Sequence, residues 1–364
     1  VICVRTYLDH NATSPLRPAA KSAMLRAMDV TGNASSVHAE GRAARQALED
    51  ARDQVAQAVG AIAPMVVFTS GGSEANNLAL KGAPVERLIV SAIEHPSVLE
   101  AAKASGMPVS LIPVDGNGLV NLAALAKLLE GPKALVSVML ANNETGVIQP
   151  VRDVVALAQS HGALVHTDAV QALGKMPVNF GLLGVDLMTL SAHKLGGPVG
   201  AGALIVRDGL ALEPLVHGGG QELRRRAGTE NLVSIAGFGA AASETLNSIK
   251  MLRDELELSL EAAVIFGAGV ERLPNTSCFA LPGLNAETLL MAFDLEGIAV
   301  SSGSACSSGK VAKSHVLAAM GIAPEISGAA IRVSLGWNTT IEHIHHFTAT
   351  WRKIVARHKA RVAA

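Results

Sequence analysis

Short apolar runs alternate with stretches of helical period through most of the chain. Val66-Val67-Phe68-Thr69-Ser70 reads as a buried strand, and the pattern recurs at Arg87 to Ser91, Val109 to Val114, Ala134 to Leu140, Ala163 to Thr167, Asp186 to Ser191 and Ala201 to Val206. Between such runs, Ala44, Ala47, Leu48, Ala51, Val55, Ala58 and Val59 recur at helical spacing within Glu40 to Val59. The Arg, Glu and Asp residues on the other face of that helix are expected to be solvated. Alternation of this kind predicts an α/β fold whose mostly parallel sheet is covered on both faces. At the start, Tyr7 to Thr13 reads as a short strand running into a turn, and Pro15 and Pro18 lead into a helix ending near Gly32-Asn33. Near residue 248 the pattern changes. Met251 to Val264 reads as a helix, Asn275 to Ala280 as a strand, Ala286 to Leu295 as a helix, and Ile298-Ala299-Val300 and Ala330 to Leu335 as strands. The expected division is a large domain over residues 12–248 and a smaller α+β domain of residues 1–11 and 249–364. The basic stretch Trp351 to Arg361 reads as a solvated helix.

Composition narrows the function classes. The chain has 364 residues, a formal net charge of −1 and 49% hydrophobic residues, so it is long enough for two cores. A near-neutral balance gives no electrostatic case for nucleic acid or an anionic membrane surface. No apolar run approaches the ~18 residues of a membrane span. Val1 to Leu8 is too short and poorly flanked to read as a signal peptide, and a leader ahead of Val1 stays open. The three cysteines, Cys3, Cys278 and Cys306, suit a reducing, cytoplasmic setting better than a disulfide framework or a metal site.

Candidate chemistry gathers where α/β sheets place it, after the C-terminal ends of strands. His95 follows the strand at 87–91, Asn142-Asn143-Glu144 the strand at 134–140, Asp168 and Gln171 the strand at 163–167, and Ser191-Ala192-His193-Lys194 the strand at 186–191. Lys194 stands before Gly196-Gly197-Pro198, at the mouth of a forced turn. A lysine there can form a Schiff base with an aldehyde cofactor, because burial lowers its pKa and frees the amine. After Val66 to Ser70, Gly71-Gly72-Ser73 opens a helix, with Ser73 expected to cap it. Strand, glycine turn and helix N-terminus together form an anion site suited to a small phosphate. The segment has neither the P-loop nor the dinucleotide-binding glycine pattern.

Taken in order, Tyr7-Leu8-Asp9-His10-Asn11-Ala12-Thr13, Ser70-Gly71-Gly72-Ser73-Glu74-Ala75-Asn76-Asn77, Glu94-His95, Asn142-Asn143-Glu144-Thr145-Gly146, His166-Thr167-Asp168-Ala169-Val170-Gln171, Ser191-Ala192-His193-Lys194, Arg226-Ala227-Gly228-Thr229-Glu230-Asn231 and Ser301-Ser302-Gly303-Ser304-Ala305-Cys306 resemble the cysteine desulfurases of the NifS/IscS group. These are pyridoxal-phosphate enzymes of the aspartate-aminotransferase-like fold, fold type I. The likeness spans nearly the whole chain. It departs at His10, where the family often has Asn, at Ala192, where Gly is common, and at Val199, where Lys is common.

The resemblance implies pyridoxal 5'-phosphate as cofactor and L-cysteine as substrate. Lys194 would be the Schiff-base lysine, Asp168 the partner of the ring nitrogen, and His95 a stacking acid/base group. Asn143 and Gln171 would bond ring substituents, above all the phenolic oxygen, and Gly72, Ser73, Ser191 and His193 would hold the phosphate. Thr229 would reach the phosphate of the neighbouring subunit's cofactor, implying a homodimer with composite sites. Cys306, among serines and glycines, reads as a reactive thiol that takes sulfur as a persulfide for an acceptor protein such as an iron–sulfur scaffold. Cys278, within a strand pattern, reads as inert core, and Cys3 as structural. Arg332 inside an apolar strand suits the substrate α-carboxylate, with a structural salt bridge as the competing reading, and Asn143 would contact the substrate beside it. Alternatives on the same scaffold are a selenocysteine lyase or another fold type I reaction on a small amino acid. A non-catalytic scaffold for an iron–sulfur assembly partner is the alternative of a different class.

Overall fold

The computed structural model describes residues 5–244, 249–302 and 313–362. In chain order its elements begin β1 (Thr6–Tyr7), α1 (Pro18–Met28), α2 (Ala39–Ala58), β2 (Val66–Thr69), α3 (Gly72–Gly82), β3 (Arg87–Ser91), α4 (Pro96–Lys103), β4 (Val109–Ile112), α5 (Leu122–Leu128) and β5 (Ala134–Ser137). The next are α6 (Val151–Gln159), β6 (Leu164–Asp168), α7 (Phe180–Leu183), β7 (Leu187–Ser191), β8 (Gly202–Val206) and α8 (Leu232–Ala242). The C-terminal part holds α9 (Ile249–Leu258), β9 (Val264–Ile265), β10 (Thr276–Ala280), α10 (Ala286–Leu295), β11 (Ile298–Ala299), α11 (His315–Ala319), α12 (Pro324–Ser327), β12 (Ala330–Ser334) and α13 (Ile341–Val362).

Seven strands form one sheet in the order β2-β8-β7-β6-β5-β3-β4. Pairings from β4 through β7 are parallel, and β8 runs antiparallel to both of its neighbours. The strands lack polar alternation because both faces are buried. Val66, Phe68, Ile89, Val136, Val165, Met188 and Ile205 enter one core, while Val67, Leu88, Val90, Leu135, Leu164, Leu187 and Leu204 enter the other. Strand order reverses between β3 and β5, which opens a crevice at their C-terminal ends. A separate three-stranded sheet, β12-β10-β9, and the pair β1-β11 build the smaller part around Phe279, Phe293, Phe347 and Trp351.

Three local expectations need correction. The helix from residue 251 does not reach Val264. It ends at Leu258, and Ala262 takes a φ of 63° in the turn before Val264 opens β9. The charges of α2 are not all solvated: Arg52 is buried and forks onto Glu222, with Nη1 to Oε2 at 2.7 Å and Nη2 to Oε1 at 2.9 Å. The basic C-terminal helix is not solvated all round, because Trp351 packs edge-on against Phe279 at 5.3 Å. In the last two cases a partner distant in sequence outweighs the local pattern.

Candidate active site

A cavity of 380 Å³ opens at the strand C-termini, within the usual size of small-molecule sites. It is walled by Gly72 and Ser73 at the start of α3, His95 after β3, Asn143 after β5, Asp168 and Gln171 at and after β6, and Ser191, His193 and Lys194 after β7. Arg332 reaches it from β12. Of the site residues expected from the sequence, these ten come together on one cavity.

At its base, the Lys194 Nζ donates to the backbone carbonyls of Asn11 and Ala12 at 2.7 and 2.8 Å. The same Asn11 carbonyl accepts from Gln171 Nε2 at 3.0 Å. On one side wall, the carboxylate of Asp168 is fixed at both oxygens. Its Oδ1 accepts from the Val170 N–H at 2.9 Å and its Oδ2 from Asn76 Nδ2 at 2.8 Å. Asn76 also donates to Ser97 Oγ, which in turn meets His95 Nδ1 at 2.8 Å. His95 is the N-cap of α4, its Nδ1 accepting the Ser97 N–H at 3.1 Å. That bond assigns the proton of the neutral ring to Nε2. Burial pushes the His95 pKa down, Asp168 opposes the shift, and Lys194 and His315 add to it.

At the mouth, α3 starts two residues earlier than expected. Gly71 is its N-cap and no side chain among the described residues caps it, so Ser73 sits inside the first turn. The Glu74 carboxylate instead reaches back to the Ser70 N–H at 2.8 Å. The N–H groups of the first turn are thus left for a ligand at the cavity wall, where the helix dipole favours an anion. Gly202 makes this approach feasible: a Cβ there would stand 2.6 Å from the carbonyl carbon of Gly71. Nearby, His193 Nδ1 meets Thr13 Oγ1 at 3.2 Å, and burial, then Lys194 and Lys175, push its pKa down to about 4.

A family model described as aminotransferase class-V matches residues 6–347. The chain belongs to the class-V aminotransferase family. A protein named cysteine desulfurase IscS, from Dictyoglomus turgidum, is 40% identical over 96% of this chain and 94% of its own length. The crystal structure of a NifS-like protein from Rickettsia africae superposes with a TM-score of 0.88 at 37% identity, covering 97% of this chain and 99% of that one. A structure described as SspA in complex with cysteine gives a TM-score of 0.83 at 30% identity, over 92% of this chain and 100% of that one. The fold is therefore fold type I, and the chain groups with the cysteine desulfurases of this family.

Cysteine desulfurases of the class-V aminotransferase family use pyridoxal 5'-phosphate, and this cavity suits that group at both ends. The uncapped N-terminus of α3 suits its phosphate, and a buried carboxylate at Asp168 suits a ring nitrogen. The buried Oδ1 of Asn143 and Oδ1 of Asn76 on the cavity wall have no partner among the described residues, as expected of atoms awaiting a ligand.

Not every expected residue lies on the cavity. Thr229 is exposed and lines a separate hollow beside Arg226 and Glu230. Arg332 makes the structural salt bridge and also lines the cavity: its Nη2 pairs with Asp9 at 2.8 Å and its Nη1 donates to the Asn143 carbonyl at 2.9 Å. Its buried Nε has no partner among the described residues. Cys278 is core as expected, fully buried in β10, and burial pushes its thiol pKa far up. Cys306 and Cys3 lie outside the described residues.

Sequence reasoning passed over Asn76, Asn11 and Lys175. The signal for Asn76 was present, since a buried polar residue four places after Gly72 shares the face of the helix that opens on the cavity. Lys175 carries no such local signal.

Proposed function

We propose that this chain is a pyridoxal-phosphate-dependent cysteine desulfurase whose chemistry runs in the 380 Å³ cavity at the strand ends. The observation that carries this reading is the convergence of Lys194, Asp168, His95 and the α3 N-terminus on that one cavity. When bound, the cofactor supplies an electron sink for negative charge at the substrate Cα. Lys194 tethers it through Nζ and then takes the Cα proton at the same atom. Asp168 holds a proton on the ring nitrogen. Gly72, Ser73, Ser191 and His193 hold the phosphate, Asn143 and Gln171 bond the ring oxygen, and Arg332 receives the substrate carboxylate through its guanidinium. His95 would stack on the ring and give the proton it holds at Nε2, its lowered pKa keeping the ring neutral with that single proton.

Cys306 provides the thiolate that attacks the substrate sulfur. The S–S bond forms as the bond between the substrate Cβ and its sulfur breaks, leaving a Cys306 persulfide and, after protonation at Cβ and Cα, L-alanine. The sulfur then passes to an acceptor protein, an iron–sulfur scaffold being our choice. We place the reaction in the cytoplasm, in keeping with three sparse cysteines. A second copy completes each site through Thr229, whose exposed position away from its own cavity supports that reading.

Incubation with L-cysteine tests the proposal. Alanine should accumulate, and the peptide carrying Cys306 should gain about 32 mass units, one sulfur, as a covalent intermediate requires. Alanine formation that persists in Cys306→Ala at the wild-type rate overturns the persulfide step, and absence of alanine overturns the whole reading.

A further inference from the structure

Behind the cavity wall lies a second lysine. Lys175 is 7% exposed, and its Nζ donates at 2.5 Å to Gln171 Oε1 and at 2.8 Å to Asn11 Oδ1. Asn11 is held from three further directions. Its Oδ1 also accepts from Asn275 Nδ2 at 3.1 Å, its Nδ2 donates to Thr276 Oγ1 at 2.9 Å, and its carbonyl accepts from both Gln171 and Lys194. Lys175 therefore joins the support of Lys194 to the support of Gln171 through one asparagine.

A glutamine amide has two nearly isosteric ends, one accepting and one donating, and its neighbours decide which way it points. A lysine amine carries N–H donors toward its acceptors, so the Gln171 atom facing Lys175 is the oxygen. The NH2 group then lies on the other side, where one hydrogen goes to the Asn11 carbonyl and the second remains for the cavity that Gln171 lines.

We propose that Lys175 is a positioning residue that locks the Gln171 amide with its NH2 toward the cavity, so that Gln171 donates to the phenolic oxygen of the bound ring. This rests on the pyridoxal reading proposed above. With the reverse orientation, an amide oxygen would face an anionic oxygen and repel it. The arrangement holds in either protonation state of Lys175. Burial, then Lys194 and Arg332, push its pKa well below the ordinary lysine value. Even the neutral amine keeps two N–H groups for its two acceptors. The other titratable groups around it are His10, Arg17 and His193, and both histidines feel its charge.

A donor on the phenolic oxygen stabilises its negative charge and lowers the pH at which the bound chromophore loses its proton. The test is an absorbance titration of the loaded enzyme across pH. Lys175→Met removes both donors at similar volume and should raise the midpoint by about one pH unit, the scale of one lost hydrogen bond to a charged group. Gln171→Leu should raise it similarly, and the double variant should go no further, since both act through one bond. A loaded Lys175→Met that titrates with the wild type, or single shifts that add in the double, overturns the proposal. Where Lys175→Met does not fold, neutron diffraction from the loaded wild type decides. Gln171 amide deuterons on the phenolic oxygen support the proposal, and Oε1 there overturns it. A wild type that takes up no chromophore overturns the pyridoxal reading instead.

Discussion

Two buried regions of this molecule are built on opposite principles. At the strand ends of the large sheet, Asp168, Asn76, Ser97, His95, Gln171, Lys175 and Asn11 hold one another by hydrogen bonds around a cavity. Under α13, Phe279, Phe293, Phe347 and Trp351 make a dry cluster, with Phe293 and Phe347 stacked 4.9 Å apart and Phe279 and Trp351 edge-on at 5.3 Å. The first region puts desolvated polar groups where a ligand can use them, at a cost to stability. The second supplies stability and touches no chemistry. Arg332 is where they meet, since β12 is paired in the small sheet while its guanidinium lines the cavity.

The contrast can be broken from either side. The largest effect should come from Lys194→Ala, which should lower alanine formation from cysteine by about 10³-fold or more and abolish the cofactor absorbance. Its unfolding free energy in urea should stay within about 1 kcal/mol of wild type, and retained activity would remove Lys194 from its role. Next, Trp351→Ala should cost about 3–5 kcal/mol in urea unfolding. Alanine formed per loaded, folded molecule should not change, and a parallel loss of activity would show the two regions to be coupled.

The smallest effect concerns the margin between them. His10 is buried against Gly336, where a Cβ would stand 1.8 Å from its Nδ1, and it meets Ser14 Oγ at 2.9 Å. Burial, then Lys175, Arg17 and His343, push its pKa from 6.5 down to about 3. The folded ring stays neutral while the unfolded ring takes a proton, so the unfolded state gains as pH falls from 6.5 toward 3. His10→Asn should remove this share and flatten the loss of stability between neutral and acid pH. Equal slopes of urea midpoint against pH in the two proteins would show that His10 is not the group responsible.

Much of this was legible in the chain. Strand positions followed from apolar runs because both faces of the sheet are covered, and polar residues at strand ends marked the cavity because parallel strands deliver their C-termini to one edge. Ten proposed site residues met there for that reason. Arg52 and Trp351 were misread because burial of a side chain depends on what packs across from it, Glu222 and Phe279, and no local period carries that information. Thr229 shows the same limit from another side, since no local signal told that it would line a hollow separate from the cavity.

By itself the sequence determined the succession of strands and helices, the donor set at the strand ends, and the membership in a family, all of which rest on residue type and spacing. The tertiary structure alone decided how those donors are aimed. Lys175 is a plain Gly-Lys pair in a turn until folding buries it beside Gln171 and Asn11. Its meaning lies in which atom of an amide it faces, and only packing in three dimensions settles that.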